Sequence, residues 1–248
     1  LNHMKESLTN LRTDDSSLAD FGFKANEKKK ARIVSQCYKS DEYRKIRMTY
    51  YDAGDNTQVF NSVWYPDPKY NLPVLGIDLL AFNRKKYLAI VDFQPLHENE
   101  EDHACTFEHR LSPIKDQYES LKGRMSSKFY DETQFFSQEM LFARFEDEDV
   151  VSDDLFPAFK RYVMMHNRLI NETEPCEQGA ASVLERQTAY DTYSAERDPA
   201  TGLFAAMFGK EWADEYVFDF LFSLSEKKEG GLPTPPMFGG GPPKGGRR

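Results

Sequence analysis

The sequence is poor in cysteine and has no long apolar run. Its 248 residues include three cysteines, Cys37, Cys105 and Cys176, with no C-x-x-C pair. An odd number of widely spaced cysteines fits neither a disulfide framework nor a thiolate-ligated zinc or iron–sulfur site, and it indicates a reducing compartment. No apolar stretch approaches the ~20 residues that span a bilayer, and the chain shows no signal-peptide pattern. We therefore expect a protein that is not held in a membrane.

Common motifs for nucleotide binding and hydrolysis are missing as well. The sequence has no G-x-G-x-x-G after a strand, no P-loop and no nucleophile elbow. The segment His97–Cys105, with His109 beyond it, brings histidine, cysteine and acidic residues close together. Its spacing fits no standard zinc arrangement and is typical of a solvated acidic loop. We expect no metal site there.

The net charge of −9 disfavours nucleic acid as a partner. The charge is uneven, because nine basic residues stand against three acidic ones between Lys24 and Arg47, a local excess of six. The nine are Lys24, Lys28, Lys29, Lys30, Arg32, Lys39, Arg44, Lys45 and Arg47. A basic patch on an acidic protein attracts an acidic partner through long-range steering. A solvated face without a partner explains the same charges.

Three β-branched and aromatic stretches between Val59 and Leu96 form the most regular part of the chain. The stretches are Val59–Tyr65, Pro73–Phe82 and Lys86–Gln94, and turn residues separate them. This pattern predicts an antiparallel meander. Alternation in the segment Asp41–Tyr51 predicts a further strand before it.

Two polar side chains fall on apolar faces of this predicted sheet. Alternation places Asp92 on the face of Leu88 and Ile90, and Asn61 on the face of Val63. Burial without a cation raises a carboxyl pKa from about 3.9 toward neutrality, which would let Asp92 donate a proton. Hydrogen bonding to backbone donors explains an Asp or Asn in a strand equally well.

Helical periodicity dominates the later part of the chain. Helices are predicted at Ser112–Ser126, from Leu155 to Ile170, at Ala180–Ala195, after Asp198-Pro199 as far as Gly209, and at Glu211–Leu224. Residues 1–20 are polar, and we expect them to be flexible. The Gly- and Pro-rich segment 226–248 is expected to be disordered, which leaves 21–225 as one domain. Strands followed by helices predict an α+β fold with an antiparallel sheet flanked by helices.

Three ordered blocks of the sequence resemble the ferredoxin-dependent bilin reductases, radical enzymes that reduce linear tetrapyrroles. They are PDPKYNLPVLGIDLL followed by IVDFQPL, then FFSQEMLFARF, then RDPATGLFAAMFGKEWADEYVFDFLF, and the resemblance extends from about Arg44 to Phe222. It implies an α/β/α sandwich with the bilin between the sheet and the C-terminal helices. It also implies no bound cofactor, since in that family reduced ferredoxin supplies electrons singly and the protein supplies protons.

The resemblance assigns roles to four residues. Asp92 matches the family's central proton-donating aspartate, and Asp198 matches the aspartate that faces the bilin A-ring. Arg144 resembles the arginine that binds a propionate, and Asn61 stands where the phycocyanobilin-forming branch has a histidine, which disfavours that branch. From the residues alone, Asp198 before Pro199 is explained as a helix cap, and Arg144 as a surface arginine beside an aromatic cluster.

Two aspartates suit A-ring reduction, so the expected reaction is the two-electron reduction of 15,16-dihydrobiliverdin to phycoerythrobilin. Phytochromobilin-forming and dihydrobiliverdin-forming activities are the near alternatives, and a bilin carrier without turnover is the alternative of another class. By the same resemblance, ferredoxin binds the Lys24–Arg47 patch. The resemblance also suggests a monomer that receives its bilin from an upstream reductase, in a plastid or in the cytoplasm of a cyanobacterium.

Overall fold

The computed structural model describes residues 2–96, 101–125, 131 and 133–226, and within these ranges the fold is an antiparallel sheet between two layers of helices. The α/β/α sandwich predicted from the sequence is therefore confirmed. Residues 227–248 of the expected tail, and residues 97–100 of the acidic segment, lie outside the described ranges. No helix in the described residues is long and apolar enough to cross a membrane.

Eight strands form the sheet. They are β1 (Arg12–Thr13), β2 (Phe23–Asn26), β3 (Ala31–Lys39), β4 (Tyr43–Asp52), β5 (Thr57–Pro66), β6 (Val74–Phe82), β7 (Lys86–Gln94) and β8 (Leu141–Phe145). Their spatial order is β1-β3-β4-β5-β6-β7-β8, with β2 also paired to β3, and every pairing is antiparallel. The predicted meander corresponds to β5, β6 and β7, with ends within two residues of the prediction.

Turn chemistry sets the register of this meander. Asn83 and Arg84 both adopt positive φ, of 52° and 51°, in the tight connection between β6 and β7. Phe82 pairs with Lys86, so this turn has three residues, and its fixed length determines which side chains share a face. The register then aligns Asn61 of β5 with Asp78 of β6, and Asp78 with Ile90 of β7.

The two faces of the sheet pack against different helices. The helices are α1 (Asn2–Ser7), α2 (Asp15–Leu18), α3 (Glu101–Cys105), α4 (Glu108–Lys115), α5 (Phe156–Glu172), α6 (Ala180–Arg197), α7 (Ala200–Phe208) and α8 (Lys210–Glu215). One core joins apolar residues of β6 and β7 with α1, α4 and α5. On the opposite face, α6, α7, α8 and the π-helical turn Tyr216–Leu221 cover the sheet. A cavity lies on this second face, between the sheet and the helices α6 and α7.

The N-terminus differs from its sequence-based expectation. Residues 1–20 were expected to be flexible, but α1, β1 and α2 lie within them, and Met4 and Leu8 are buried in the core. The buried carboxylate of Asp14 accepts hydrogen bonds from Ser16 and Ser17 and pairs with Lys39 at 2.9 Å. A few apolar anchors and one satisfied carboxylate suffice to order a segment whose composition is polar.

The predicted helix Ser112–Ser126 is wrong in its bounds. Helix α4 starts at Glu108 and ends at Lys115, so Pro113 lies inside it and not in its first turn. A 3₁₀ turn, Glu119–Leu121, follows. The apolar residues Phe107, Leu111 and Ile114 are all buried in the core, and their burial outweighs the poor helix propensity of proline.

Candidate active site

A large cavity lies between the sheet and the C-terminal helices. Its volume is about 200 Å³ when counted for the centres of water molecules, and about 1480 Å³ when all space free of protein atoms, open solvent at the mouth included, is counted. Its floor follows β6 from Gly76 to Phe82, a length of roughly 20 Å at the usual rise of a strand. Most of the wall is apolar, with aromatic side chains from Phe135, Phe136 and Phe204 facing the floor. Such a slot suits a long, flat, conjugated ligand.

Three polar side chains on neighbouring strands form a hydrogen-bonded row on the floor of the cavity. Arg47 on β4 donates from Nη1 to Oδ1 of Asn61 on β5, and Nδ2 of Asn61 donates to Oδ1 of Asp78 on β6. Asn61 and Asp78 line the cavity, whereas Arg47 is fully buried behind them. The row places one titratable carboxyl against an apolar chamber.

The proton affinity of Asp78 suits acid chemistry near neutral pH. Burial is the main cause that raises the pKa of Asp78 to about 7. The hydrogen bond from Asn61 lowers this pKa, and the nearby Asp198 carboxyl raises it further. The positive charge of Arg47 acts in the opposite direction. A carboxyl that is partly protonated at neutral pH is able to give a proton to a ligand in contact with it.

Asp198 joins the same cavity from the helical layer. It follows α6 directly, in extended conformation with φ −61° and ψ 113°, and Oδ1 accepts a hydrogen bond from the backbone of Ala200 at 2.8 Å. Burial raises the pKa of Asp198, while the Ala200 hydrogen bond and the charge of Arg47 lower it. The capping interaction and the position in the cavity, which the sequence presented as alternatives, both occur.

Asp92 lies on the same sheet face but outside the cavity. It is 0% exposed, and Ser137 donates to both of its oxygens, from the backbone to Oδ2 at 2.9 Å and from Oγ to Oδ1. Burial raises the pKa of Asp92 to about 7 against the lowering by the Ser137 side-chain and backbone bonds. Asp92 is not among the described residues that line the cavity. Its contacts hold the segment that carries Phe135 and Phe136 onto the sheet.

Arg144 stands on the edge strand β8, exposed to solvent. Its partner across the strands is Leu88, which lines the cavity, so both side chains belong to the same face of the sheet. The guanidinium lies over the ring of Phe142, 5.5 Å from its centroid. Arg144 lies beside the cavity and is not among the described residues that line it.

The predicted basic patch is divided by the structure. Arg47 and Lys45 are 0% and 5% exposed, so neither belongs to a docking surface. Lys45 donates to the backbone oxygen of Phe220 and to Ser223, and burial lowers its pKa to about 8. Arg44 stacks on Tyr65 at 4.2 Å. The exposed remainder is Lys24, Lys28, Lys29, Lys30 and Arg32, with Lys39 half-buried.

Sequence reasoning did not identify Asp78 as a cavity residue or Arg47 as a hydrogen-bond partner of Asn61. Asp78 stands in the quoted segment PDPKYNLPVLGIDLL, and alternation places it on the face of Gly76 and Leu80. The signal that selected Asp92 applied equally to Asp78. Register separates the two aspartates, because only the pairing of β5 with β6 shows that Asn61 faces Asp78.

Metal ligation has little support in this site. Groups of three or more His, Cys, Asp or Glu side chains that could hold a metal ion are absent from the described part of the chain. The chemistry available to the cavity is that of two half-buried carboxyls, an amide and a buried guanidinium around an apolar chamber. This set is able to bind a conjugated ligand and to transfer protons.

The sequence is similar to those of several known proteins. Two relatives carry the name 15,16-dihydrobiliverdin:ferredoxin oxidoreductase. The protein from Nostoc punctiforme is 42% identical over 194 residues, covering 77% of this chain and 79% of the relative. The protein from Gloeobacter violaceus is 40% identical over 205 residues, covering 82% and 83%.

Similarity extends to a solved fold and to a family profile. The crystal structure of phytochromobilin synthase from tomato in complex with biliverdin superposes with a TM-score of 0.80, at 21% identity, covering 90% of this chain and 80% of that one. The profile of ferredoxin-dependent bilin reductases matches residues 3–223. The chain therefore belongs to the ferredoxin-dependent bilin reductase family.

Proposed function

We propose that this enzyme uses two electrons from reduced ferredoxin and two protons to reduce biliverdin to 15,16-dihydrobiliverdin. Membership of the family supports the ferredoxin-dependent reduction of a bilin. The choice of bond rests on the name shared by the two relatives, which pairs 15,16-dihydrobiliverdin as electron donor with ferredoxin as acceptor. In the reductive direction, reduced ferredoxin is the electron donor, biliverdin is the substrate and 15,16-dihydrobiliverdin is the product. The single observation that carries the chemistry is the position of Asp78 in an apolar cavity.

Asp78 is the proposed proton donor on the sheet side of the bilin. Each electron that enters the conjugated system increases its basicity, and a neutral carboxyl in contact with it supplies the proton. The pKa of Asp78, about 7, leaves a large protonated fraction at neutral pH. The apolar wall excludes bulk water, so protonation occurs where a side chain is placed and not at random along the ligand.

Asp198 is the proposed donor, or source of polarisation, on the helical side. It lies in the cavity opposite the sheet floor, with Oδ1 held by Ala200 and Oδ2 free of that contact. Two acids on opposite walls match the requirement for two protons per turnover. Each electron and each proton is used in forming the two new C–H bonds at C15 and C16 of the bilin.

Ferredoxin is proposed to dock where the exposed lysines Lys24, Lys28, Lys29 and Lys30 surround β2. An apolar row runs across the adjoining strands, since Phe23 pairs with Val34 and Val34 with Tyr50. These side chains are 63%, 39% and 39% exposed. Apolar contact ringed by cations fits a small acidic redox protein, which would be steered by charge and held by a modest interface.

A second candidate is the A-ring reduction of 15,16-dihydrobiliverdin to phycoerythrobilin, expected from the sequence. The observation that favours it is Asp198, which does lie in the cavity and resembles the aspartate that faces the A-ring in the family. The relatives' shared name favours reduction of the 15,16 bond instead.

The assay that separates these reactions supplies each bilin in turn. Under anaerobic conditions, the protein with biliverdin and reduced ferredoxin is expected to lose the biliverdin absorption and to yield 15,16-dihydrobiliverdin, identified by chromatography. With 15,16-dihydrobiliverdin as substrate, no phycoerythrobilin is expected. Product from the second incubation alone would establish the second candidate. An unchanging bound spectrum in both incubations would show a carrier.

A further inference from the structure

Arg47 is a buried cation whose hydrogen-bonding capacity is only partly used. It is 0% exposed, although it belongs to a strand of the cavity floor. Its Nη1 donates to Asn61, while Nε and Nη2 have no hydrogen-bond partner among the described residues. The guanidinium also lies over the ring of Phe222, 5.9 Å from its centroid. Keeping a guanidinium away from water with two donors unpaired is costly, so the hydrogen bond to Asn61 calls for a reason beyond packing.

That contact fixes the orientation of the Asn61 amide. A guanidinium has donors and no acceptor, so Asn61 must present its oxygen to Arg47. The nitrogen of the amide then points the other way, and it donates to Oδ1 of Asp78. If the amide were reversed, its NH₂ group would face the Arg47 cation without forming a hydrogen bond.

The orientation of Asn61 decides where a proton on Asp78 resides. Oδ1 of Asp78 already accepts from Asn61, so a proton on that oxygen would face another N–H donor. The neutral carboxyl therefore carries its hydrogen on Oδ2. Asp78 lines the cavity, and its second oxygen is the one that Asn61 leaves unoccupied.

We propose that Arg47 is a positioning residue that, through Asn61, locks the acidic proton of Asp78 on the oxygen available to the bilin. The inference rests on the proposed function and deepens it. Without Arg47 the amide is free to reverse, and the O–H of Asp78 is then able to donate its hydrogen bond to the oxygen of Asn61 and not to the bilin. Arg47 does not touch the substrate in this account.

The other charged and titratable groups around Asp78 are few. Asp198 faces it from the end of α6 and raises its pKa, and Tyr190 of α6 interacts with it electrostatically. Tyr216, beside Asp198 and Arg47, is held by hydrogen bonds to Ser35 and Thr49. Arg47 is the cation that lowers the pKa of both cavity aspartates.

The test is the pH dependence of single-turnover biliverdin reduction in Arg47→Met. Loss of the charge and of the oriented amide raises the pKa of Asp78, so we expect the high-pH limb of the rate profile to move up by about one pH unit. At its own optimum the variant is expected to be roughly tenfold slower, because the O–H of Asp78 then donates its hydrogen bond to Asn61. Biliverdin affinity, measured by absorbance titration, is expected to change less than about threefold, since Arg47 does not line the cavity.

Arg44→Met is the matched control on the same strand. Arg44 stacks on Tyr65 and donates to Gln187, but it makes no contact with Asn61. Its loss is expected to lower stability and to leave the pH midpoint at the wild-type value. A purely structural role for Arg47 predicts the same behaviour from Arg47→Met, and that result would overturn the proposal.

Two further variants keep the proposal testable if Arg47→Met does not fold. Arg47→Lys retains the charge without the planar fork, and Asn61→Leu removes the bridge while keeping Arg47. Both are expected to move the midpoint upward, Arg47→Lys by the smaller amount. An unmoved midpoint in both variants overturns the proposal. Biliverdin reduction by the wild type tests the proposed function separately, so a failure of either idea is recognised on its own.

Discussion

Asp78 and Asp92 have similarly raised pKa values but different surroundings. Burial raises the pKa of each to about 7. The two aspartates lie on neighbouring strands and are offset by two residues, because Asp92 pairs with Gly76 and Asp78 pairs with Ile90. Both oxygens of Asp92 accept from Ser137, whereas Asp78 keeps one oxygen free of Asn61 and faces the cavity. Accessibility to a ligand, not pKa alone, distinguishes a proton donor from an anchor.

A buried acid with a raised pKa makes stability depend on pH. The folded-state pKa of Asp78 lies above its unfolded value near 3.8, so its favourable contribution is present in full below pH 4 and is lost as the pH rises through 7. Asp78→Asn removes this loss. We expect the variant to match the wild type at pH 5 within about 1 kcal/mol and to exceed its free energy of unfolding at pH 8 by about 2 kcal/mol, since cavity water reduces the full effect.

Urea unfolding at the two pH values measures this difference. Asp55→Asn, in an exposed carboxylate outside the cavity, serves as the control and is expected to follow the wild type at both pH values. An Asp78→Asn difference that is equal at pH 5 and pH 8 would contradict the raised pKa.

At the scale of elements, the junction between α6 and α7 makes Asp198 a capping residue that also lines the cavity. Its Oδ1 caps the backbone of Ala200, and the residue lines the cavity. Asn caps as well as Asp but carries no acidic proton, and Ala does neither. At acidic pH, where the carboxyl is protonated, Asp198→Asn is therefore expected to keep wild-type stability, whereas Asp198→Ala loses about 1 kcal/mol in free energy of unfolding.

Turnover separates capping by Asp198 from proton supply. If its carboxyl supplies a proton, reduction slows at least roughly tenfold in both variants, and bound biliverdin remains visible in the spectrum. Wild-type turnover in Asp198→Asn, with a slow Asp198→Ala, would leave Asp198 as a cap only.

The meander and the later helices were predictable from sequence because local chemistry specifies them. Alternation and turn residues gave β5, β6 and β7, and apolar spacing gave α5 and α6. The polar N-terminus and α4 departed from prediction because tertiary burial of a few apolar residues decided them. Asp198 and Asn61 line the cavity, and their roles toward a bilin stay predictions. The positions of Asp78 and Arg47 depended on register and burial, which a single sequence does not encode locally.

At the scale of the whole molecule, exposed positive charge is concentrated at one edge of the sheet. The exposed lysines lie on β2 and in the turn that follows it, and β2 pairs with β3 at this edge. The double variant Lys28→Glu with Lys30→Glu is expected to raise the KM for ferredoxin roughly tenfold at low salt, an effect that shrinks as salt screens the charges. Bilin affinity is expected to stay unchanged, because neither lysine lines the cavity.

The matched control reverses two exposed cations of α5. Lys160→Glu with Arg168→Glu changes the net charge equally, but on α5, outside the surface beside β2. We expect little change in the KM for ferredoxin. Equal effects from the two double variants would show that overall charge, and not the surface beside β2, governs the association.

The most direct test of the central claim compares Asp78→Asn with Asp92→Asn in a single anaerobic turnover of bound biliverdin with reduced ferredoxin. We expect Asp78→Asn to bind biliverdin, to accept an electron and to stop at a long-lived bilin radical with little product. Asp92→Asn is predicted to complete the reduction within about tenfold of the wild-type rate, since its role is to hold Ser137. Wild-type product formation by Asp78→Asn, with arrest in Asp92→Asn, would contradict the account.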